Sequence, residues 1–558
     1  VVDGTRFLHR YGSQNTFVGE AAGNFTTTGN SNTGVGYHAL NAVTSGTDNT
    51  GVGLHALAAL TTGTHNTALG RGTLYSNTVG SDNTAVGRGA LTNNTTASRN
   101  TALGAMALQV QSHSNGGVAW SSDNTAVGYQ ALQQNQPTSS VNGGQNTAVG
   151  ANSLISNTTG SRNAALGHGA LYSNIVGDEN AALGVAALFG NTTANRNTAV
   201  GYGALYTQSY ANGGAAWDSE NTAVGYEALQ ANQPTSSSDG YQNTAVGAFA
   251  LESNTTGYVN VAVGHGALGS NTSGDRNVAV GRGALHANTT SDDSTAVGDY
   301  ALGSSVDGHE DTAIGAGALR SQGDVPYWTQ NTAVGFNSLY GNLEGIYNTA
   351  LGHRALYANT TGGRNVAVGW GALDASTGSY NTGLGIGAGS RLESGDDNVY
   401  VASDLPMGST SESSTIRIGD SQTRAFLAGV YGVTVTGGTA VYVKSDGQLG
   451  TVTSSRRYKR EIEDVGERSE VLAKLRPVRF RYTEDRDPAG EQQYGLIAEE
   501  VEEVAPELVV HGADGRPETV KYNLVNALLL NEVLRQRKEI DELREIVSRL
   551  VTERRSGR

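Results

Sequence analysis

Asn83-Thr84-Ala85-Val86-Gly87-Arg88-Gly89-Ala90-Leu91 decides the fold, because eight further residues lead straight back to the same text at Asn100-Thr101-Ala102-Leu103-Gly104. The unit Asn-Thr-Ala-Val-Gly-x-x-Ala-Leu starts at Asn15, Asn32, Asn49, Asn66, Asn83 and Asn100, every 17 residues. It resumes at Asn124, Asn146, Asn163, Asn180, Asn197, Asn221, Asn243, Asn260 and Asn277. Ser294 and Asp311 open variant units, Asn331, Asn348, Asn365 and Asn381 follow, and Asn398 opens a degenerate last one. Each unit holds a short apolar piece, a Gly, an Ala-Leu pair and then turn chemistry such as Asn94-Thr95-Thr96. Pieces this short do not make helices, and one unit alone cannot bury its apolar face. Stacking solves both problems: each strand pairs with its copy one coil away, and Ala, Val and Leu form continuous ladders. Asn at one fixed place per coil is expected to form a side-chain amide ladder. The expected body is mostly β, an elongated β-solenoid or β-roll of 17-residue coils. At about 4.8 Å per layer, 21 clear units give a rod on the order of 100 Å long.

Composition agrees with thin stacked layers. The chain has 558 residues, 77 of them Gly, only 8 Pro and 6% aromatic, which is too Gly-rich and aromatic-poor for an ordinary enzyme. Cys is absent, so neither a disulfide framework nor a thiolate metal site is available. With 36 basic and 51 acidic residues the net charge is −15, which argues against binding a nucleic-acid backbone. No apolar run is long enough for membrane insertion. The His are scattered, neither EF-hand nor Gly-rich nonapeptide calcium motifs occur, and no cofactor or metal is expected.

The period lengthens at defined places: 24 residues from Asn100 to Asn124 and 22 from Asn124 to Asn146, then the same pair from Asn197 and Asn221. The inserted text repeats too, Asn115-Gly116-Gly117-Val118-Ala119-Trp120 echoing Asn212-Gly213-Gly214-Ala215-Ala216-Trp217. A third insertion carries Pro326-Tyr327-Trp328. Insertions in a solenoid become loops on one face, often the binding face. Trp120, Trp217 and Trp328 are therefore candidate receptor-binding positions, with capping of the shaft or filling of a subunit interface as the structural alternative. Asn157-Thr158-Thr159 and Asn254-Thr255-Thr256 match glycosylation acceptors, yet recur because the coil turns there.

Three parts follow: a repeat shaft over 1–397, a β-rich neck over 398–453, and a charge-rich module over 454–558 that holds 20 basic and 22 acidic residues. The module is read as a small α/β domain. Leu475 to Tyr482 alternates like a strand, Tyr494 to Val501 leads into a short helix ending near Pro506, and Tyr522 begins a long helix. Leu529, Val533, Gln536, Ile540, Leu543, Val547 and Leu550 alternate four and three apart, a heptad seam that predicts a coiled coil without fixing its stoichiometry.

Ser454-Ser455-Arg456-Arg457-Tyr458-Lys459, Leu475-Arg476-Pro477-Val478, Gly495 to Val501 with Pro506-Glu507-Leu508-Val509, then Tyr522 and the closing helix, together resemble the intramolecular chaperone of phage endosialidases and tail fibres, the S74 peptidase family. That resemblance implies assembly as a homotrimer followed by self-release through a Ser-Lys dyad, with Ser454 and Lys459 in the matching positions. The family usually carries Asp after the Ser, where this chain has Ser455. A serine needs a base, and lysine serves only when neutral; Arg456, Arg457 and Arg460 beside Lys459 push its pKa in that direction. The body more loosely resembles the head repeats of trimeric autotransporter adhesins. Together these imply a trimeric virion tail fibre or other extracellular surface fibre that binds a host-cell glycan or protein. Its enzymatic activity is at most that of a self-cleaving serine endopeptidase, without turnover of external substrate. The alternatives are a bacterial cell-surface adhesin with the same modules, or a polysaccharide-degrading tailspike; the latter needs carboxylates facing across a scissile bond, whereas pairs such as Asp178-Glu179 and Asp292-Asp293 share one turn.

Overall fold

A computed structural model describes residues 7–323, 328–428, 436–444, 446–512 and 514–557. They fall into two compact units, residues 1–424 and 425–558. The first is the solenoid. Its three-residue strands, such as Thr84–Val86, pair in parallel with no slip: Thr84 faces Thr101, Ala85 faces Ala102 and Val86 faces Leu103. The ladder makes one sheet of 24 strands, of which the first, Leu8–His9, runs antiparallel to Thr16–Val18 and covers the sheet edge. The remaining strands mark about 23 coils, roughly 110 Å of stacked layers. The parallel pairing runs on past residue 397 through Val399–Val401 and Ile416–Ile418.

The typical strand presents Thr and Val or Leu outward and the central Ala inward, as the pleat requires. The Ala row and the Leu row (Ala85 and Leu91, Ala102 and Leu108) are fully buried and form one continuous core. Leu91 reaches that core from a left-handed backbone, φ 52, and its counterparts do the same in coil after coil. Such a backbone costs about 1–2 kcal/mol in a non-Gly residue, and burying a Leu side chain is worth about 1.5–3 kcal/mol, so the core holds it there. Gly87 has no such choice. Its φ is 124, and a Cβ would come within 2.6 Å of the Gly104 carbonyl of the next coil.

Both ends of the core depart from Ala plus Leu. Phe17 and Tyr400 occupy the inward strand position and are fully buried. Gly23 and Gly389 stand where other coils have Leu, and a Cβ at either would collide with the neighbouring aromatic ring. At the first coil one ring replaces two aliphatic side chains of its own layer, and at the last the Tyr400 ring reaches over the empty position of Gly389 in the coil before it. The Tyr400 hydroxyl donates to Glu412, 2.8 Å, which also holds Arg417 through two hydrogen bonds.

The expected amide ladder is present, and a second runs beside it. In the first, the backbone N–H of Asn49 donates to Asn32 Oδ1, 3.1 Å, while the Asn49 amide donates to Gly63 O, 3.0 Å. In the second, Asn94 Nδ2 donates to Asn77 Oδ1, 3.0 Å, and to Ala97 O, 2.9 Å. Asn157 and Asn254 belong to this second ladder and are completely buried, so the acceptor-like triplets are structural in the folded chain. Where the coils lengthen, Gln111 and Gln208 replace Asn and their longer side chains still reach the next ladder residue, Asn135 and Asn232.

The second unit holds a hairpin of Tyr442–Val443 and Leu449–Gly450, an antiparallel pair Val478–Phe480 with Gln493–Gly495, and helix α1 (Ala498–Val504). A second hairpin, Val509–His511 with Pro517–Val520, leads into helix α2 (Tyr522–Ser556). The two helices and the strand of 478–480 fall where the sequence predicts them.

Two substitutions test the amide ladder. Asn66→Ala removes the acceptor for the backbone N–H of Asn83, 3.1 Å, and strands a buried donor. Hydrogen exchange at Asn83 is expected to show a local loss of about 1–3 kcal/mol. Asp311 replaces Asn in the ladder, and its burial pushes the carboxyl up to about 6, against the hydrogen bonds from Thr329 and Asn331 that favour the charged form. Since the folded pKa exceeds the unfolded one, this group's contribution is full below about pH 4 and lost as pH rises through 6. Asp311→Asn is therefore expected to strengthen protection around Asn331 by about 3 kcal/mol at pH 8 and by almost nothing at pH 4, read by hydrogen exchange.

Candidate functional site

The second unit is organised around Val501, Ala505, Leu508, Val509 and Val520, with Leu475, Leu496, Val525 and Leu528 packed against them. Those side chains come from every motif that carried the resemblance between Leu475 and the closing helix. The motif spacing is thus a packing requirement: α1 supplies Val501 and Ala505, the Pro506–Leu508 turn supplies Leu508, and the hairpin supplies Val509 and Val520. Tyr522, the first residue of α2, accepts a hydrogen bond at its hydroxyl from the Leu496 backbone N–H, 3.0 Å, and ties the helix start to the strand end. Arg476 forms an ion pair with Glu500.

Sequence reasoning passed over a second clamp. Buried Ser469 donates to Glu532, 2.9 Å, and accepts from the Asn531 amide, 2.8 Å, which also donates to Gly466 O, 2.8 Å. Hydrogen bonds from Ser469 and then Gln536 hold the Glu532 carboxyl below the usual carboxylate range. Together these contacts dock the turn of 466–474 on α2. A lone Ser among charged residues carries no periodic signal that would have found it.

Ser454 and Lys459 lie on either side of the short turn Arg456–Tyr458. Both are exposed, as is every residue from 449 to 464. No hydrogen bond between the two is present among the described residues. The seam positions on α2 are also open: Leu529, Val533, Ile540, Leu543, Val547 and Leu550 are each about half exposed or more. Among the described residues, this apolar stripe, along a helix of 35 residues, stands open to water.

The insertions place their tryptophans differently from one another. Trp120 and Trp217 are 8% and 6% exposed. Each starts a two-residue strand, pairing with Ala97 and Ala194, and each meets a ring of its own loop edge-on, His113 at 5.6 Å and Tyr210 at 5.7 Å. Trp328 is 62% exposed beside His309, to which it is bridged; Pro326 and Tyr327 lie outside the described residues. The acidic neighbours singled out in the sequence are tied to arginines, Glu179 to Arg162 and Arg196, Asp293 to Arg276. Among the described residues, no helix is long and apolar enough to cross a membrane.

Residues 454–510 match the family Peptidase_S74, chaperone of endosialidase. No curated protein matches the chain. A β-solenoid of 17-residue coils, followed in sequence by an endosialidase-type chaperone segment, defines a tail-fibre-like protein that carries its own chaperone module.

Tyr522→Phe leaves the Leu496 N–H without its acceptor. The change is expected to cost about 1 kcal/mol, seen as faster exchange of the Leu496 amide with the solenoid amides unchanged.

Proposed function

We propose that the chain is a trimeric tail-fibre or surface-fibre protein whose shaft binds a cell surface, and whose C-terminal module drives trimer assembly and then releases itself by cleavage at Ser454 with Lys459 as base. The observation that carries this reading is the open heptad seam of α2 in a segment that continues from the chaperone match. A coiled coil removes that stripe from water, and burial at about 25 cal/mol per Å² makes self-association the natural outcome. The outward strand row of the solenoid supports the same reading, since Leu69, Leu103, Leu166, Leu183 and Ile314 are exposed in the single chain.

The open geometry at Ser454 fits a dyad completed by assembly. Burial favours the neutral, basic form of a lysine, and docking of three chains would bury Lys459. Cleavage would then follow folding in time, and the released shaft would owe its durability to a slow unfolding rate. Ser455, in place of the family's usual Asp, is the residue expected to modulate the rate. On this account the shaft is a display surface, and the module is a folding device with one catalytic turnover.

Intact mass of the purified chain, beside Ser454→Ala and Lys459→Ala, tests the proposal. Splitting next to residue 454 in the unmodified chain only, with both variants whole, is the expected result. A correctly folded unmodified chain that stays at full length would remove self-cleavage and leave the module as an assembly cap.

A further inference from the structure

A repeat protein is most informative where one row of the repeat is interrupted. The residue two places after the conserved strand Gly forms such a row along the solenoid. Over four consecutive coils it runs Phe249, Gly266, Gly283, Tyr300. Two glycines are thus bracketed by two aromatic residues, and the Tyr300 ring leans over Gly283, where a Cβ would come within 2.6 Å of it. The gap is a cavity of about 330 Å³, floored by buried Gly266, Gly269 and Gly283. Three coil spacings separate the backbones of Phe249 and Tyr300, and with the Tyr300 ring over Gly283 about two of them, roughly 10 Å, remain for one six-membered ring.

The rim is polar and largely fixed. It carries His265, Arg282, Glu252 and His286. Arg282 donates to both carboxylate oxygens of Asp299, 2.8 and 3.0 Å, and lies over the Tyr300 ring at 5.1 Å, with Arg320 on the same ring at 4.9 Å. A guanidinium has five N–H donors, so the Asp299 pair leaves others for a ligand. His286 Nδ1 lies 3.0 Å from the Gly266 carbonyl, an acceptor only, so that nitrogen carries the proton and Nε2 of the neutral ring is an acceptor. His265 packs edge-on against Phe249 at 5.6 Å.

We infer that the notch between Phe249 and Tyr300 is a binding site for one pyranose unit of a surface glycan. A pyranose offers an apolar C–H face and a girdle of hydroxyls. The notch offers aromatic walls and, around them, a carboxylate acceptor, an imidazole acceptor and guanidinium donors, the mix of apolar lining and few placed polar groups that marks small-molecule sites. The site is read as binding without hydrolysis: among the described residues Glu252 is the one carboxylate lining the notch, and nearby Asp299 is held by Arg282, where glycoside cleavage needs two. This inference rests on the reading of the solenoid as a surface-binding shaft and gives that reading a place and a ligand class.

The test uses the full chain and methyl glycosides of glucose, galactose, mannose and N-acetylglucosamine, read by saturation-transfer NMR. Gly266→Gln fills the notch with a side chain the fold already carries at the corresponding Gln130, φ 57, so folding is retained. Phe249→Ala removes one wall. Transfer to at least one glycoside, reduced fivefold or more by both variants, is expected. No transfer to any of the four, or transfer unchanged in both variants, overturns the site. Adsorption of the full chain to purified bacterial surface polysaccharides separates the two levels. Adsorption that survives Gly266→Gln leaves surface binding standing without this notch, and loss of adsorption in that variant supports both.

Discussion

Everything in the solenoid depends on a buried asparagine whose side-chain oxygen accepts the backbone N–H of the asparagine one coil on. That bond, as between Asn66 and Asn83 at 3.1 Å, occurs inside the core, where an unpaired N–H would be costly. It fixes register, because a one-residue slip would send Asn outward and Thr inward. It also fixes coil height, because the same amide must reach a carbonyl of its neighbour. Once register and height are set, Ala falls on Ala and Leu on Leu, and the core follows. The tolerance of the device is visible at Ser294, whose hydroxyl takes over the contact to Gly308 O, 3.3 Å, and its limit at Asp311, where a charge has to be buried.

The same economy leaves surfaces uncovered. A coil of 17 residues has too few side chains to bury both faces of its strand, so the Val and Leu row of the sheet stays outside. The α2 seam has the same character, apolar at heptad spacing and open in the single chain. Association of copies would answer both. The stacked aromatics along the shaft, such as half-buried Tyr172, Phe189 and Tyr206 with centroids 4.8 and 5.1 Å apart, show how the repeat handles large surface side chains: it piles them on their counterparts. The notch at Phe249 and Tyr300 lies in another row of the repeat, where two consecutive coils carry glycine.

Much of this was legible in the residues. The 17-residue recurrence of Asn-Thr-Ala-Val-Gly predicts parallel in-register strands, and the heptads after Tyr522 predict the long helix. Other features were not. The second amide ladder hides because its early members are Val43 and Leu60, buried apolar residues in the slot that Asn77 later fills. The left-handed Leu has no sequence signature, since Leu normally avoids that backbone and only the packed core holds it there. Burial of Trp120 and Trp217 depends on short strands that Ala97 and Ala194 provide from the preceding coil, a contact across 23 residues that no local pattern announces. Ser454 and Lys459 were named through a family likeness, and the geometry between them in one chain is open, as a site completed by neighbouring chains would be.

Sedimentation equilibrium of the uncleaved Ser454→Ala chain tests the central claim, that this chain functions as an assembled fibre, most directly. The account predicts a single species at three times the 57.6 kDa chain mass, about 173 kDa. A stable, folded species at 57.6 kDa, with the α2 seam open in solution, would contradict it.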